Sequence, residues 1–294
     1  WSFQAAPNNK LVLGNGKMIS RWPVRTGVIV DDGVAYFGAG VFPSQGVSLY
    51  AVRADTGKIL WTNDGFGKGG LGSVSPQGYM TASKQRLWVA SGRAVPATFS
   101  RKDGTFIKHT KFVWRRVGLF GGTYSMLAGD MLFNGTERML GIKEDSGKLE
   151  MSEEALRLVV DKDVAYMLNG SEVIALDRDG WTKRRGSQKL ASVLQKIKGL
   201  KSRIAYEKWI KKPGVPTKAQ QAQMKKYITL RDKEQKVWDQ SVKWRAKCPH
   251  SGAMALTKTL LFTGGQDSVS AFDINSGKTV WSAKVDGEAK GLAA

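Results

Sequence analysis

Cys248-Pro-His250 is the place in this 294-residue sequence where a thiol and an imidazole stand close together. Such a pair could serve as an activated nucleophile or as two soft metal ligands. Both roles need more partners than the sequence supplies. Cys248 is the only cysteine, and His109 is the only other histidine. An internal disulfide, a Cys-rich site and an all-His site are therefore excluded, and Cys248 reads as a core or turn thiol. Gly67-Lys-Gly-Gly70-Leu-Gly72 and Gly118-Leu-Phe-Gly-Gly122 look like phosphate cradles, but neither ends in Gly-Lys-Ser/Thr between a strand and a helix. No Gly-x-Ser-x-Gly elbow is present. Asp55, Asp103 and Asp145 lie in turn sequences, where a carboxylate commonly bonds its own downstream backbone. The expectation is a chain with no catalytic residues, no metal and no cofactor.

What must position these residues is a turn-rich, glycine-rich body. The sequence holds 34 Gly, 10 Trp and 8 Pro, with 41% hydrophobic and 24% charged residues. That balance suits a globular β-rich chain, and no apolar run is long enough to cross a membrane as a helix. Trp1-Ser-Phe lacks the charged and then apolar pattern of a signal peptide, and with no initiator Met the chain reads as processed or excised. One cysteine fits a reducing compartment or a periplasm equally.

An internal repeat organises the body. Ala51-Val-Arg-Ala-Asp55-Thr-Gly57-Lys-Ile-Leu-Trp61 matches Ala271-Phe-Asp273-Ile-Asn-Ser-Gly277-Lys-Thr-Val-Trp281 at Ala, Gly, Lys and Trp. Weaker copies run through Asp103-Gly104, Asp145-Ser-Gly147 and Asp177-Arg-Asp-Gly180. Five units follow, each with its glycine at a tight β-turn where φ > 0 is needed. Units of roughly 40 residues with several short strands are propeller blades in sequence. The large flat rings of Trp61 and Trp281 are expected to pack against neighbouring blades.

The pattern Ala-x-Asp-x-x-Thr/Ser-Gly-x-x-x-Trp resembles the tryptophan-docking repeat of PQQ-like β-propellers. That group shares the general plan of WD40-like propellers. It includes quinoprotein alcohol dehydrogenases and non-catalytic scaffolds such as the outer-membrane assembly lipoprotein. Ser20-Arg-Trp-Pro-Val24, Gly33-Val-Ala-Tyr36, Cys248-Pro-His-Ser-Gly-Ala, Gly264-Gly-Gln-Asp and Gly291-Leu-Ala look like the PQQ-binding-like repeat proteins of planctomycete-type bacteria. Those proteins carry a charged helical insert before the Cys-Pro element. The resemblance is strongest in the first and last units. Arg53 stands where Asp is usual, and the third and fourth units lack the docking Trp. The resemblance implies six to eight blades, so five blades imply an incomplete ring, with further blades from the same or another chain completing it. Trp1 to Arg21 would then belong to a preceding blade. Quinoprotein enzymes hold calcium with Glu, Asn and Asp and use an Asp base, often with vicinal cysteines. This sequence has no Cys-Cys.

Charge is concentrated in one segment. Residues 182–247 hold 20 Lys and Arg against four acids, in a chain whose formal net charge is +21. From Ser187 to Lys212 the apolar period changes to about 3.6, with Leu190, Val193, Leu194, Ile197, Leu200 and Ile204 on one stripe. Pro213 to Pro216 breaks the pattern, and Thr217-Lys-Ala-Gln220 reads as a capping box. A second helix is expected to run to about Trp244, with Met224, Tyr227, Ile228, Leu230, Val237, Trp238 and Val242 on its apolar face. The two should form an antiparallel hairpin. Arg184, Arg185, Lys211, Lys212, Lys225 and Lys226 are its candidate anion-binding residues. Four uses remain open. They are a solvated face, a docking arm for an acidic protein or envelope polymer, nucleic-acid binding without a groove-reading motif, and membrane-surface binding.

The expected organisation is propeller blades over 1–181, a basic helical hairpin over 182–247, and a last blade over 248–294. The expected function is a non-catalytic recognition scaffold, bacterial and periplasmic or otherwise exported. A protein partner or a polyanion would bind through the propeller face and the hairpin. The alternatives are part of a PQQ- and calcium-dependent oxidoreductase and a nucleic-acid or polyanion binder.

Overall fold

The computed structural model describes residues 1–65, 74–92, 94–109, 122–135, 138–180, 186–211 and 216–293. It divides into two units, each taken here by itself. The glycine runs at 67–72 and 118–121 lie outside the described residues.

The first unit comprises Trp1–Val113, Leu119–Thr136 and Ile142–Lys148. It opens with a small hairpin, β1 (Leu11–Gly14) and β2 (Lys17–Ser20). Next comes a four-stranded antiparallel meander of β3 (Ile29–Asp31), β4 (Val34–Ala39), β5 (Ser48–Arg53) and β6 (Ile59–Asn63). A second meander follows, with β7 (Thr81–Ala82), β8 (Arg86–Ser91), β9 (Ala94–Ser100) and β10 (Phe106–His109). The central strands are continuous apolar runs because both of their faces are covered: β4 and β8 are buried at every position after the first. Tyr36, Leu49 and Ala51 from one sheet and Leu87, Val89, Ala97 and Phe99 from the next share a single core.

A third meander has the order β11 (Tyr124–Ala128), β12 (Met131–Gly135), β13 (Met139–Lys143) and β14 (Leu149–Glu153). Strands β11 and β12 belong to the first unit and β14 to the second.

The second unit continues with β15 (Arg157–Asp161), β16 (Val164–Leu168) and β17 (Glu172–Asp177). The helices α1 (Gly186–Lys211) and α2 (Lys218–Asp239) interrupt this sheet, which β18 (Val242–Lys247) then completes as its fourth strand. The last sheet contains β19 (Ala253–Leu256), β20 (Leu260–Asp273) and β21 (Thr279–Glu288). Strand β20 pairs with β19 through its first half and with β21 through its second. The Ile274 amide donates to the Thr259 carbonyl at 3.2 Å, so the run folds back on its own start. The same closing bond recurs in each meander: Ala54 to Gly33, Arg101 to Gln85, Glu144 to Asp130 and Arg178 to Asp163. Each sheet is therefore one copy of the repeated unit, which is what the sequence spacing implies.

Two expectations about this region change. Helix α2 stops at Asp239, and residues 242–247, which extend the helical reading, form a strand. The alternation Val242-Lys-Trp-Arg-Ala-Lys247 has the period of a strand, but it directly follows a helix without a Gly or Pro to mark the change. Gly180 does not occupy a hairpin turn. Residues 178–180 take a helical turn, and the Gly180 amide donates to the Asp177 carboxylate at 3.1 Å. The helical pair stands where the other sheets have a tight turn.

Candidate functional site

Four turns have one geometry. Gly57, Gly104, Gly147 and Gly277 all have φ between 67° and 72°, and each amide donates to the carbonyl four residues back at 2.8–2.9 Å. Only glycine takes this conformation without strain. The bare glycine also leaves room for a ring from earlier in the chain. A Cβ on Gly57 would lie 2.5 Å from the Trp1 ring, one on Gly104 2.6 Å from Trp61, and one on Gly277 2.5 Å from Trp244. In each case the indole N–H donates to the carbonyl three residues before the glycine. The acceptors are Ala54 at 3.1 Å, Arg101 at 3.1 Å and Ile274 at 2.8 Å. Tyr36 beside Trp61 and Tyr166 beside Trp244 back the rings with the same 42° tilt.

The turn carboxylates serve their own loops. Arg53 pairs with Asp55 at 2.6 Å, and this hydrogen bond pulls the carboxyl down to a pKa of about 2. Asp103, held by the Thr105 amide, and Asp145 and Asp273, held by Ser146 and Ser276, also lie below the ordinary carboxylate value. Asp177 holds the Gly180 amide instead of a hairpin turn.

At the Gly147 turn the described partners are cations. At Lys108, which occupies the position of Trp61 in the second sheet, the ammonium donates to the Ser146 carbonyl at 2.6 Å beside Gly147. The Arg86 guanidinium donates to the Glu144 carbonyl. Arg86 thus meets the carbonyl three residues before the glycine, the position that an indole meets at the other three turns. The fourth sheet does carry a docking ring, Trp244, contrary to the sequence expectation. Trp281 departs from expectation in the other direction. It is 49% exposed on β21, where its ring meets Phe262 of its own sheet edge to face.

The basic hairpin is anchored at its base. Trp238 is buried, its indole N–H donating to a Glu153 carboxylate oxygen at 2.8 Å, while Arg245 lies 4.8 Å from the centre of its ring. Strand β14, on which α1 packs, is buried where the fourth strand β6 is half open. Leu190, Val193, Ile197 and Leu200 are buried, as their spacing implies. Leu194 and Ile228 are 38% and 37% exposed, so the apolar faces are not consumed entirely within the pair. The Thr217 capping box forms, with Gln220 N to Thr217 Oγ1 at 3.2 Å and Thr217 N to Gln220 Oε1 at 2.9 Å.

On α2, Lys218, Lys225, Lys226, Lys233 and Lys236 all lie on the face opposite Trp238 and are exposed. Lys189, Lys196, Lys198, Lys201 and Arg203 are exposed on α1. None of these ten is in an ion pair among the described residues. Of the six candidate anion-binding residues, Lys225 and Lys226 stand together on this face. Arg184, Arg185 and Lys212 lie outside the described residues, and Lys211 is the last residue of α1.

A family model described as outer membrane protein assembly factor BamB matches residues 225–292, from α2 through β18 to the last sheet. Among solved structures, BamB from Moraxella catarrhalis is similar over 92% of this chain at 12% identity, with a TM-score of 0.52. The chain has the fold of a PQQ-like β-propeller repeat protein. It spans 63% of the length of that BamB chain, and at this identity the likeness concerns the fold. The computationally designed Ika8 protein aligns over 95% of this chain and 67% of its own at 9% identity, TM-score 0.49. The Pan2 WD40 domain of Neurospora crassa aligns over 92% and 68% at 9% identity, TM-score 0.48. No curated protein matches the sequence.

In the last blade of this propeller protein the Cys248–His250 pair is a buried hydrogen-bond chain. Ser268 Oγ donates to the Gln266 carbonyl at 3.1 Å, so it accepts from His250 Nε2 at 2.9 Å. His250 Nδ1 then accepts from Thr263 Oγ1 at 2.8 Å, and Thr263 accepts from the Cys248 thiol at 3.4 Å. Burial pushes the imidazole below its ordinary pKa, which keeps it neutral as this arrangement requires. His109 stands elsewhere, its Nε2 2.9 Å from the Val95 carbonyl.

Proposed function

We propose that this propeller is a non-catalytic recognition module that binds an acidic protein partner through the basic hairpin. The observation that carries the reading is the exposed lysine face of α2, whose Lys225, Lys226, Lys233 and Lys236 form no ion pair among the described residues. A dense cationic face on a helical arm attracts polyanions over about a Debye length and speeds encounter. The match to a BamB-described family model supports a protein partner and an exported, periplasmic setting in a bacterium. The charged insert ahead of Cys248-Pro249 supports the planctomycete-type subfamily. Half-exposed Trp281 supports a further blade, from the same or another chain, whose glycine turn would receive it as Gly104 receives Trp61.

The test is a titration of the whole chain with polyglutamate, heparin and duplex DNA at low and moderate salt. Polyglutamate binding that weakens with salt and disappears when the four lysines are changed to Glu supports the reading. Binding of heparin or DNA that far exceeds polyglutamate binding at matched charge favours a polyanion binder. The absence of binding to all three at low salt removes the hairpin as the interaction surface.

A further inference from the structure

Near the tip of the hairpin, Ile204 of α1 and Met224 and Ile228 of α2 line a cavity of about 550 Å³, completed by Pro216, Gln220 and Lys225. Its position is not what a self-sufficient helical pair would give. On α1, Leu190, Val193, Ile197 and Leu200 are buried, whereas Ile204 is only half-buried, and Ile228 on α2 is 37% exposed. The apolar seam therefore continues beyond the point where the two helices cover it. Its rim is cationic. Lys225 lines it, Lys201 stands one turn before Ile204 on α1, and Lys218 precedes Gln220 on α2, all three exposed and without an ion pair among the described residues. Beside it, Glu207 accepts a hydrogen bond from Gln220 Nε2 at 2.7 Å.

We infer that this groove takes a leucine-sized or phenylalanine-sized side chain from an acidic segment of a partner protein, whose carboxylates engage the lysines at the rim. This rests on the acidic-partner reading above and adds to it the apolar anchor. A bare polyanion leaves the groove wet, and a second copy of this chain would set lysine face against lysine face. An acidic amphipathic segment satisfies both features: charge brings it to the rim, and burial of one side chain fixes its register.

The experiment uses the whole chain and two fluorescein-labelled peptides of equal charge, one of Glu with spaced Leu residues and one with Ser in place of each Leu. Fluorescence anisotropy should give a Kd at least about tenfold lower for the Leu peptide, the gain expected from burying one or more such side chains. Ile228→Ser, which removes the apolar side chain without adding charge, should abolish that difference while leaving binding of the Ser peptide unchanged. Helicity measured by circular dichroism should be unaltered, since Ile228 is already partly exposed. Lys225→Glu with Lys226→Glu should weaken both peptides. Equal affinity for the two peptides overturns the groove inference and leaves the acidic-partner reading intact. Failure of either peptide to bind at low salt overturns both. Self-association that Ile228→Ser abolishes, seen by sedimentation, overturns the inference in favour of a second copy.

Discussion

Trp244 covers Gly277 so closely that a single added methyl on the glycine would sit 2.5 Å from the ring, and the same indole is tied to Ile274 by a 2.8 Å hydrogen bond. One residue thus completes its own sheet and secures the next. Trp244→Ala is expected to destabilise the chain by about 3 kcal/mol or more, the usual cost of emptying a buried aromatic position. Gly277→Ala combines a left-handed backbone with displacement of the ring and should cost more than about 1 kcal/mol. Trp281→Ala, at the matching position but exposed, should stay within about 0.5 kcal/mol of the parent. Urea denaturation followed by far-UV circular dichroism compares the three, and equal effects would contradict the docking role.

The hairpin base depends on the Trp238 to Glu153 hydrogen bond. Trp238→Phe retains most of the apolar contact but removes the donor, for an expected loss of about 1–3 kcal/mol. Limited proteolysis should then cut within residues 186–240 faster than in the parent, with the blades still protected.

Acid sensitivity should trace to His250. Its folded pKa lies below the ordinary value of 6.5, so the unfolded chain binds the proton more readily. The resulting stabilisation is complete above about pH 6.5 and is lost as pH falls from there through the folded pKa. Protonation also forces Thr263 to stop donating to Nδ1. Denaturation midpoints measured from pH 8 to 5 should fall for the parent. The decline should be shallower in His250→Gln, which cannot titrate; an unchanged slope would place the effect elsewhere.

Asp55 offers a test of the turn electrostatics. Its carboxyl should titrate near 2, and Arg53→Met should return it toward 3.8, as followed by NMR of the side-chain carboxyl. Because the pair is solvent-exposed, stability near neutral pH should barely change.

The repeat was legible because its turns are local. A backbone position that needs φ > 0 calls for glycine, so Gly57, Gly104, Gly147 and Gly277 mark the sheets from the sequence alone. The junctions were only partly legible, because what a turn receives is decided by a distant residue. Lys108 and Arg86 answer the Gly147 turn with charge, and no spacing rule distinguishes those cations from ordinary surface ones. Trp244 was hidden by its neighbour, since a strand that starts two residues after a lysine-rich helix continues its composition. The hairpin itself was visible from its period and capping box. Its tip groove was not, because the same apolar stripe reads alike whether the partner helix covers it or stops short.

The bond from the Asp177 amide to the Ser241 carbonyl, at 2.8 Å, closes the gap from which α1 and α2 emerge. For the fourth blade the whole helical arm is therefore an oversized loop with adjacent ends. Closing a longer loop between fixed ends costs only slowly rising entropy. The blade can accordingly carry an arm of another length or charge there while keeping its register. This makes the part of the arm beyond its anchored base a cassette position, where binding specificity can be exchanged without rebuilding the sheet that displays it.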